Sequence, residues 1–163
     1  MKRYFLLLLA APLLTACPYV EPYEGSATSY SPVYMKRSDL EQSVKYAEAP
    51  RALRSLGKIY VKGDTIYLGE KYEGVHVINN ADPARPVNVA FIIIPGCVDM
   101  AVKENILYAD NTVDLVCVDL AQRREVFRKR NVFPPLTPPD GGYFIRQDNN
   151  AEMVIVRWKL KSK

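Results

Sequence analysis

The sequence predicts a mainly β fold: a partial β-propeller of about two four-stranded antiparallel blades and a C-terminal hairpin, with one short N-terminal helix. Three observations support this prediction. Short apolar runs of strand length begin near Gly57 and continue towards the end of the chain. Gly, Asn, Asp and Pro residues separate the runs, as turns require. The pattern then recurs after about forty residues, the length of a propeller blade.

Residues 1–16 have the organisation of a secretory signal. Lys2 and Arg3 provide a charged start, and the apolar stretch over 5–14 is well short of the roughly twenty residues that span a bilayer. The following Leu14-Thr15-Ala16-Cys17 resembles the lipobox of bacterial lipoproteins. This resemblance implies that the chain is cut before Cys17 and that Cys17 carries lipid, which anchors the protein in a membrane. An ordinary secretory signal with an incidental cysteine is the alternative.

The residues after Cys17 bear on the protein's location in the cell envelope. Pro18 stands where, under the enterobacterial sorting rule, an aspartate retains lipoproteins in the inner membrane, so the outer membrane is expected. Residues 17–37 are rich in Pro, Ser, Glu and Tyr without a period, which predicts a lipid-anchored flexible tether. The formal charge of +4 falls to about +2 without the signal and indicates no particular partner. Nucleic acid is not expected at this location.

Residues 38–56 predict a short helix and an extended lead-in. Ser38 and Glu41 have the spacing of a capping box, and Leu40 begins an apolar face. Pro50 cannot continue a helix, so the helix is predicted over 38–48, lying against the sheet that follows.

Residues 57–163 form the predicted β-repeat domain. The run over 87–94 is apolar at successive positions, which is typical of a strand covered on both faces. After a Pro-rich breaker, residues 143–147 and 153–160 predict the closing hairpin. The repeat shows as Val61-Lys62 and Tyr67 recurring in Val102-Lys103 and Tyr108 at an offset of 41, and as Val75, Ile78 and Asn79 recurring in Leu115, Val118 and Asp119 at 40.

Six further segments carry a recognisable pattern: Gly57-Lys58-Ile59-Tyr60-Val61-Lys62, Gly74-Val75-His76-Val77-Ile78-Asn79-Asn80, Ile94-Pro95-Gly96, Val98-Asp99-Met100-Ala101-Val102-Lys103, Leu115-Val116-Cys117-Val118-Asp119 and Val154-Ile155-Val156-Arg157-Trp158. They resemble the bacterial lipoproteins built from LVIVD repeats, which are expected to be β-propellers. The resemblance implies a fold but no activity. Family members are usually longer, and ring closure needs at least four blades, so two repeats would be capped by the helix and hairpin or completed by another subunit. A truncated gene product is a third alternative.

No arrangement of residues in the sequence indicates catalysis, a metal or a cofactor. His76 is the only histidine, and its place in an alternating strand favours an exposed or hydrogen-bonded strand residue. No nucleophile elbow or phosphate-binding loop occurs. Two sets of alternating oxygen side chains lack the glycine and glutamate of a calcium loop and predict hairpin turns instead. These sets are Asp110, Thr112 and Asp114, and Asp148, Asn150 and Glu152.

Cys97 and Cys117 are predicted to be buried and unpaired. The strand assignment places them on two strands separated by a third, too far apart for a disulfide. A single disulfide is the alternative, because the expected compartment is oxidising.

Two groups of cations allow contact with an anionic surface. At the C-terminus, four cations alternate at strand spacing, which either discourages edge pairing or contacts lipid headgroups or acidic glycan. A second group surrounds Phe127. The C-terminal group is Arg157, Lys159, Lys161 and Lys163, and the second is Arg123, Arg124, Arg128, Lys129 and Arg130.

These observations favour a non-enzymatic, membrane-anchored module that contacts a protein, an envelope component or a second copy of itself. The alternative is an envelope carbohydrate-binding protein or hydrolase whose carboxylates lie at strand ends. Its groove would be lined by Asp99, Asp110, Asp119 and Tyr108.

Overall fold

The computed structural model describes residues 26–146 and 150–162, and within these ranges the chain forms three antiparallel sheets and one short helix. This confirms the mainly β fold. The elements are β1 Tyr30–Lys36, α1 Arg37–Leu40, β2 Lys45–Ala47, β3 Leu56–Lys62, β4 Thr65–Glu70, β5 Gly74–Asn79, β6 Val87–Ile93, β7 Met100–Lys103, β8 Ile106–Asn111, β9 Asp114–Asp119, β10 Arg124–Lys129 and β11 Met153–Leu160.

The two sequence repeats form two sheets with the same strand order. Strands β3 to β6 pair consecutively in the first sheet, and β7 to β10 do so in the second. Strands β4 and β8 begin at Thr65 and Ile106, and strands β5 and β9 begin at Gly74 and Asp114. The change of offset from 41 to 40 therefore falls in the hairpin between these strands, whose turn is one residue shorter in the second repeat.

One face of each repeat sheet lies in a single shared core. Side chains alternate between the two faces of a strand, and the apolar side chains on these inner faces form one cluster of buried residues. The first sheet contributes Tyr67, Val75, Val77, Ala90 and Ile92, and the second contributes Val102, Leu107, Ala109, Val116 and Val118.

Gly74 allows β5 to begin tightly against β6. Its φ of +143° is a conformation that side-chain-bearing residues rarely adopt. A Cβ at this position would lie 2.0 Å from the carbonyl oxygen of Ile92. A glycine is therefore required where the first sheet turns back on itself.

The helix prediction is wrong beyond its first turn. Helix α1 ends at Leu40, and Ser38 bonds to the neighbouring Asp39 rather than capping the helix. Residues 45–47, predicted as helical, form β2 instead. The reason is non-local: β6 offers an unpaired edge, and pairing Tyr46 with Ile92 satisfies main-chain groups on both strands.

The C-terminal hairpin is also wrong, and so is the last part of the predicted tether. Strand β11 pairs with β1, which was assigned to the tether, and not with residues 143–146. Tyr143 forms only an isolated bridge with Ala27. Seven residues of β1 provide a longer ladder than the short segment before the turn. The signal, Cys17, the tether up to residue 25, Gln147, Asp148, Asn149 and Lys163 lie outside the described residues.

The apolar run in β6 is covered on both faces over only part of its length. Ala90, Phe91 and Ile92 are buried, but Val87 and Val89 are 57% and 42% exposed. At the buried end of β6, the Arg51 guanidinium covers the face that carries Phe91, and the residues on either side of Phe91 lie in the shared core because side chains alternate along a strand.

A buried carboxylate joins the N-terminal segment to the second repeat. Asp114 accepts hydrogen bonds from the guanidinium groups of Arg37, at 2.7 Å, and Arg128, at 2.9 Å. The N–H of Asn131 donates to the same carboxylate at 3.0 Å. Burial raises the pKa of Asp114, but these three donors outweigh it and hold the pKa below its usual value. Asp110, Thr112 and Asp114 lie at the hairpin that joins β8 to β9, with the turn at residues 112–113, as the missing calcium-loop glycine predicted.

Candidate functional site

A cavity of about 700 Å³ lies on the outer face of the first repeat sheet. Its walls are the chain segment 51–55, the end of β4 with the turn that follows it, and residues 157–159 of β11, and His76 and Phe91 also line it. Five cationic side chains reach this cavity against two carboxylates, which leaves an excess of three positive charges. The cations are Arg51, Arg54, Lys71, Arg157 and Lys159, and the carboxylates are Glu70 and Glu73.

Glu70 holds the segment 51–55, here called the strap, against the sheet. Its buried carboxylate accepts the backbone N–H of Arg54, at 3.0 Å, and that of Ser55. The ring Nε2 of His76 lies 3.1 Å from the same carboxylate. Burial raises the pKa of Glu70, but these donors outweigh it and lower the pKa below its usual value. Glu70 therefore has a structural role, because its negative charge is balanced by the strap N–H groups and His76.

His76 and Asn88 fix the other end of the strap. A carboxylate only accepts, so His76 Nε2 donates to Glu70, and Nδ1 accepts from the Asn88 amide at 3.3 Å. The same amide donates to the carbonyl oxygen of Arg51 at 2.9 Å. The Arg51 guanidinium lies 4.5 Å from the centre of the Phe91 ring. His76 thus has both ring nitrogens bonded, which confirms its interpretation as a satisfied strand histidine.

Strand β11 supplies the opposite wall, and two of the four predicted C-terminal cations are on it. Arg157 donates to Glu73 at 2.7 Å, and Lys159 is exposed at the rim. Lys161 points elsewhere, because its Nζ donates to the carbonyl oxygen of Thr28 at 2.6 Å. Lys163 lies outside the described residues. The four C-terminal cations therefore do not form one row: among the described residues, only Arg157 and Lys159 line the cavity, opposite the strap.

The cations around Phe127 do not form a comparable site. Arg128 is enclosed by Asp114 and Glu125, to which it donates at 2.9 Å. Arg130 donates to Glu41 at 2.7 Å. Ion pairs thus neutralise much of this group.

Three of the four residues of the alternative groove line a second cavity, of about 510 Å³. Asp99, Asp110 and Tyr108 reach it together with Lys58 and Phe133. The fourth residue, Asp119, lies apart from it. Its carboxylate accepts the N–H groups of the turn that follows β9.

Both carboxylates of this groove already have partners. Asp110 accepts the N–H of Val98 at 2.9 Å and that of Asp99 at 2.8 Å, and its burial raises its pKa. Asp99 pairs with Lys58 at 2.6 Å, and this lysine lowers the pKa of Asp99. The two pKa values thus move apart, as a general acid and base require. These bonds hold the loop before β7, however, which favours a structural role.

Cys97 and Cys117 are buried and unpaired, as predicted. Burial raises the pKa of both thiols, so neither is an activated nucleophile. The prediction placed Cys97 on a strand, but it lies in the connection between β6 and β7. Among the described residues, no cluster of three or more His, Cys, Asp or Glu side chains has an arrangement suited to a metal ion.

Comparison of the chain with family models, curated proteins and solved structures found no match. In the part of the chain that the structure describes, no helix has both the length and the hydropathy to cross a bilayer. Sequence reasoning missed the strap cations Arg51 and Arg54, which follow Pro50 in a segment without periodicity. The available signal was their spacing of three residues immediately before the first repeat.

Glu70→Gln should lower the free energy of unfolding by roughly 1 to 3 kcal/mol at pH 7, because an amide leaves one strap N–H without an acceptor. A carboxyl with a lowered folded-state pKa stabilises the fold above its unfolded pKa of about 4.3. This contribution is lost as the pH falls through the folded value, so the two proteins should converge in stability in acid. Urea unfolding at several pH values measures this. The exposed Glu104→Gln is the matched control, and a constant difference at every pH would contradict the role of Glu70.

Proposed function

We propose that this chain is a lipid-anchored lipoprotein of the outer membrane whose LVIVD-type repeat domain binds an anionic group of an envelope component without catalysing a reaction. The observation that carries the binding proposal is the convergence of five cationic side chains on one cavity. These side chains come from chain positions as far apart as Arg51 and Lys159. Such a set of cations exceeds what the neighbouring carboxylates neutralise.

Of the five cations of the cavity, Arg157 forms an ion pair with Glu73, and Arg51 and Lys71 lie over the rings of Phe91 and Tyr72. The other two cations, Arg54 and Lys159, are the most available to a ligand. Neither Arg54 nor Lys159 makes an ion pair with any described residue, and both side chains are exposed. The planar guanidinium of Arg54 suits phosphate or carboxylate oxygens, and the flexible ammonium of Lys159 can approach from the opposite wall. Arg51 and Arg157 are held in place by Phe91 and Glu73. The pair Arg54 and Lys159 is therefore the expected point of ligand contact.

The anchoring proposal is supported by the signal over 1–16 and by the lipobox ending at Cys17. Several acyl chains, at about 0.8 kcal/mol per buried methylene, would hold the protein stably in a membrane. The proposal that the domain catalyses no reaction is supported by the structural roles of Glu70, Asp99 and Asp110, each of which accepts hydrogen bonds from neighbouring protein groups.

Labelled palmitate should enter the wild-type protein in a bacterial host and should be absent from Cys17→Ser. The reason is that the acyl chains attach at this residue alone. Cys97→Ser and Cys117→Ser are matched controls and should keep the label, because both thiols are buried. Radiolabelling followed by membrane fractionation measures both incorporation and location. Label that persists in Cys17→Ser would rule out the lipobox interpretation.

The chain from residue 18 onward, without lipid, should bind anionic vesicles containing phosphatidylglycerol and not vesicles of phosphatidylcholine alone. The double variant Arg54→Gln/Lys159→Gln should weaken this binding between tenfold and about thirtyfold, since each cation near an anionic surface contributes about 1 kcal/mol. Co-sedimentation measures the affinity. The control Lys62→Gln/Lys103→Gln removes the same charge from two exposed positions at the other end of the strands.

A second candidate function comes from the groove that Tyr108 and Phe133 share with Asp99. Partly exposed aromatic rings beside a carboxylate can contact the faces and hydroxyls of sugar rings. A neutral oligosaccharide of N-acetylated sugars is therefore the second probe in the same binding measurement. Binding of this probe that is lost in Tyr108→Ala, together with no difference between the two vesicle types, would replace the anion-binding function with this one.

A further inference from the structure

The cationic cavity is built on the strand that pairs with the chain arriving from the lipidation site. In the ladder between β1 and β11, Ser31 is the partner of Lys159 and Val33 is the partner of Arg157. Both cations line the cavity. The strand that forms one wall of the cavity, β11, therefore pairs directly with β1, the first strand after the anchored segment.

The anchored segment is fastened to the fold a few residues before β1. The N–H of Thr28 donates to the carbonyl oxygen of Tyr143 at 3.1 Å. Its hydroxyl donates to Asp140 at 2.8 Å, and Lys161 Nζ donates to its carbonyl oxygen at 2.6 Å. The hydrogen bonds of Ser29 and Thr28 lower the pKa of Asp140, so this acceptor is charged at neutral pH. The chain that links lipid to fold thus ends near Ser26.

This arrangement limits how far the cavity can be from the membrane. Ser26 is nine positions after Cys17, and nine residues reach at most about 32 Å in any conformation. The five residues from Ser26 to Ser31 add at most about 18 Å. The step across the ladder from Ser31 to Lys159 adds about 5 Å. The edge of the cavity at Lys159 therefore lies within about 55 Å of an anchor on Cys17.

Because the proposed anchor already holds the protein on the membrane, binding of the cavity to the same membrane is effectively an intramolecular step. Linking two binding events through a short segment gives an effective concentration in the millimolar range. A weak cationic site is then sufficient to dock the domain on its own membrane. A soluble anion has no such advantage and must reach a comparable free concentration.

We propose that the cationic cavity binds the phosphate of an anionic phospholipid in the same membrane that holds the anchor, and so brings the repeat domain down onto the bilayer surface. This rests on the lipidation of Cys17 and the anion-binding function proposed above. Arg54 and Lys159 contact the phosphate, while the strap keeps Arg51 beside them. Three excess positive charges suit a negatively charged leaflet.

Trp158 provides a natural probe of this docking. It is the only tryptophan in the chain and lines the cavity. Its Nε1–H donates to the carbonyl oxygen of Leu136 at 3.2 Å, which fixes the ring. Fluorescence quenching of this residue by spin-labelled lipid headgroups therefore reports whether the cavity is at the bilayer surface.

The test uses the full lipidated chain reconstituted in vesicles that carry a trace of headgroup-labelled lipid. Quenching of Trp158 should be at least about twofold stronger with phosphatidylglycerol present than with phosphatidylcholine alone. It should fall to the phosphatidylcholine level in about 0.5 M salt, where charges are screened within a few Å. Arg54→Gln/Lys159→Gln should abolish the difference, and Lys62→Gln/Lys103→Gln should keep it. All four substituted residues are exposed, so both double variants should fold, and circular dichroism spectra that match the wild type check this.

Equal quenching in the two kinds of vesicle would overturn membrane docking. A separate arm adds glycerol phosphate to the protein in neutral vesicles. If this soluble phosphate changes Trp158 emission in an Arg54-dependent way while headgroup quenching stays equal, the cavity binds free phosphate and only the docking proposal fails. If neither probe has an effect, the anion-binding function fails as well.

Discussion

The mutual burial of two sheet faces is the constraint on which the rest of this structure depends. Each repeat alone would expose one apolar face, and the shared cluster removes both faces from water at once. Val75 and Val77 of the first sheet belong to the same core as Val116 and Val118 of the second. Because the two inner faces pack against each other, the opposite face of each sheet points outwards. Polar groups and connecting segments then determine what each outer face can bind.

The outer face of the first sheet shows how the fold creates a cationic cavity from dispersed residues. Glu70 and His76 project from β4 and β5 and hold the strap by its backbone. The strap in turn presents Arg51 and Arg54, while the ribbon of β1 and β11 brings Arg157 and Lys159 to the other side. A buried carboxylate at Asp114 fastens the helical turn that follows β1 to the second sheet. The cations of this cavity therefore come from segments that the contacts of Glu70 and His76 and the pairing of β1 with β11 hold in place.

The sequence was informative where the signal is local and periodic. Alternating apolar residues and the repeat offsets predicted both sheets. They also predicted that the hairpin before Gly74 in the first repeat is one residue longer than the hairpin before Asp114 in the second. Pairings between distant segments could not be predicted. Strand β1 contains Ser31 and Pro32 and has no strand signal without its partner β11. The capping box at Ser38 favoured a helix, but residues 45–47 instead form hydrogen bonds with the otherwise unpaired edge of β6. The cavity was invisible for the same reason, because its cations span more than a hundred positions.

Native-state hydrogen exchange tests the shared core most directly. In a cooperative unit, the slowest amides open with the free energy of global unfolding. Val116→Ala removes apolar contacts from the second sheet only, at a side chain that is fully buried. Mutual burial predicts that this change accelerates the slowest amides of β5 and β9 by the same factor. Acceleration confined to β9, with β5 unchanged, would show that the two sheets are stable independently and would contradict a common core.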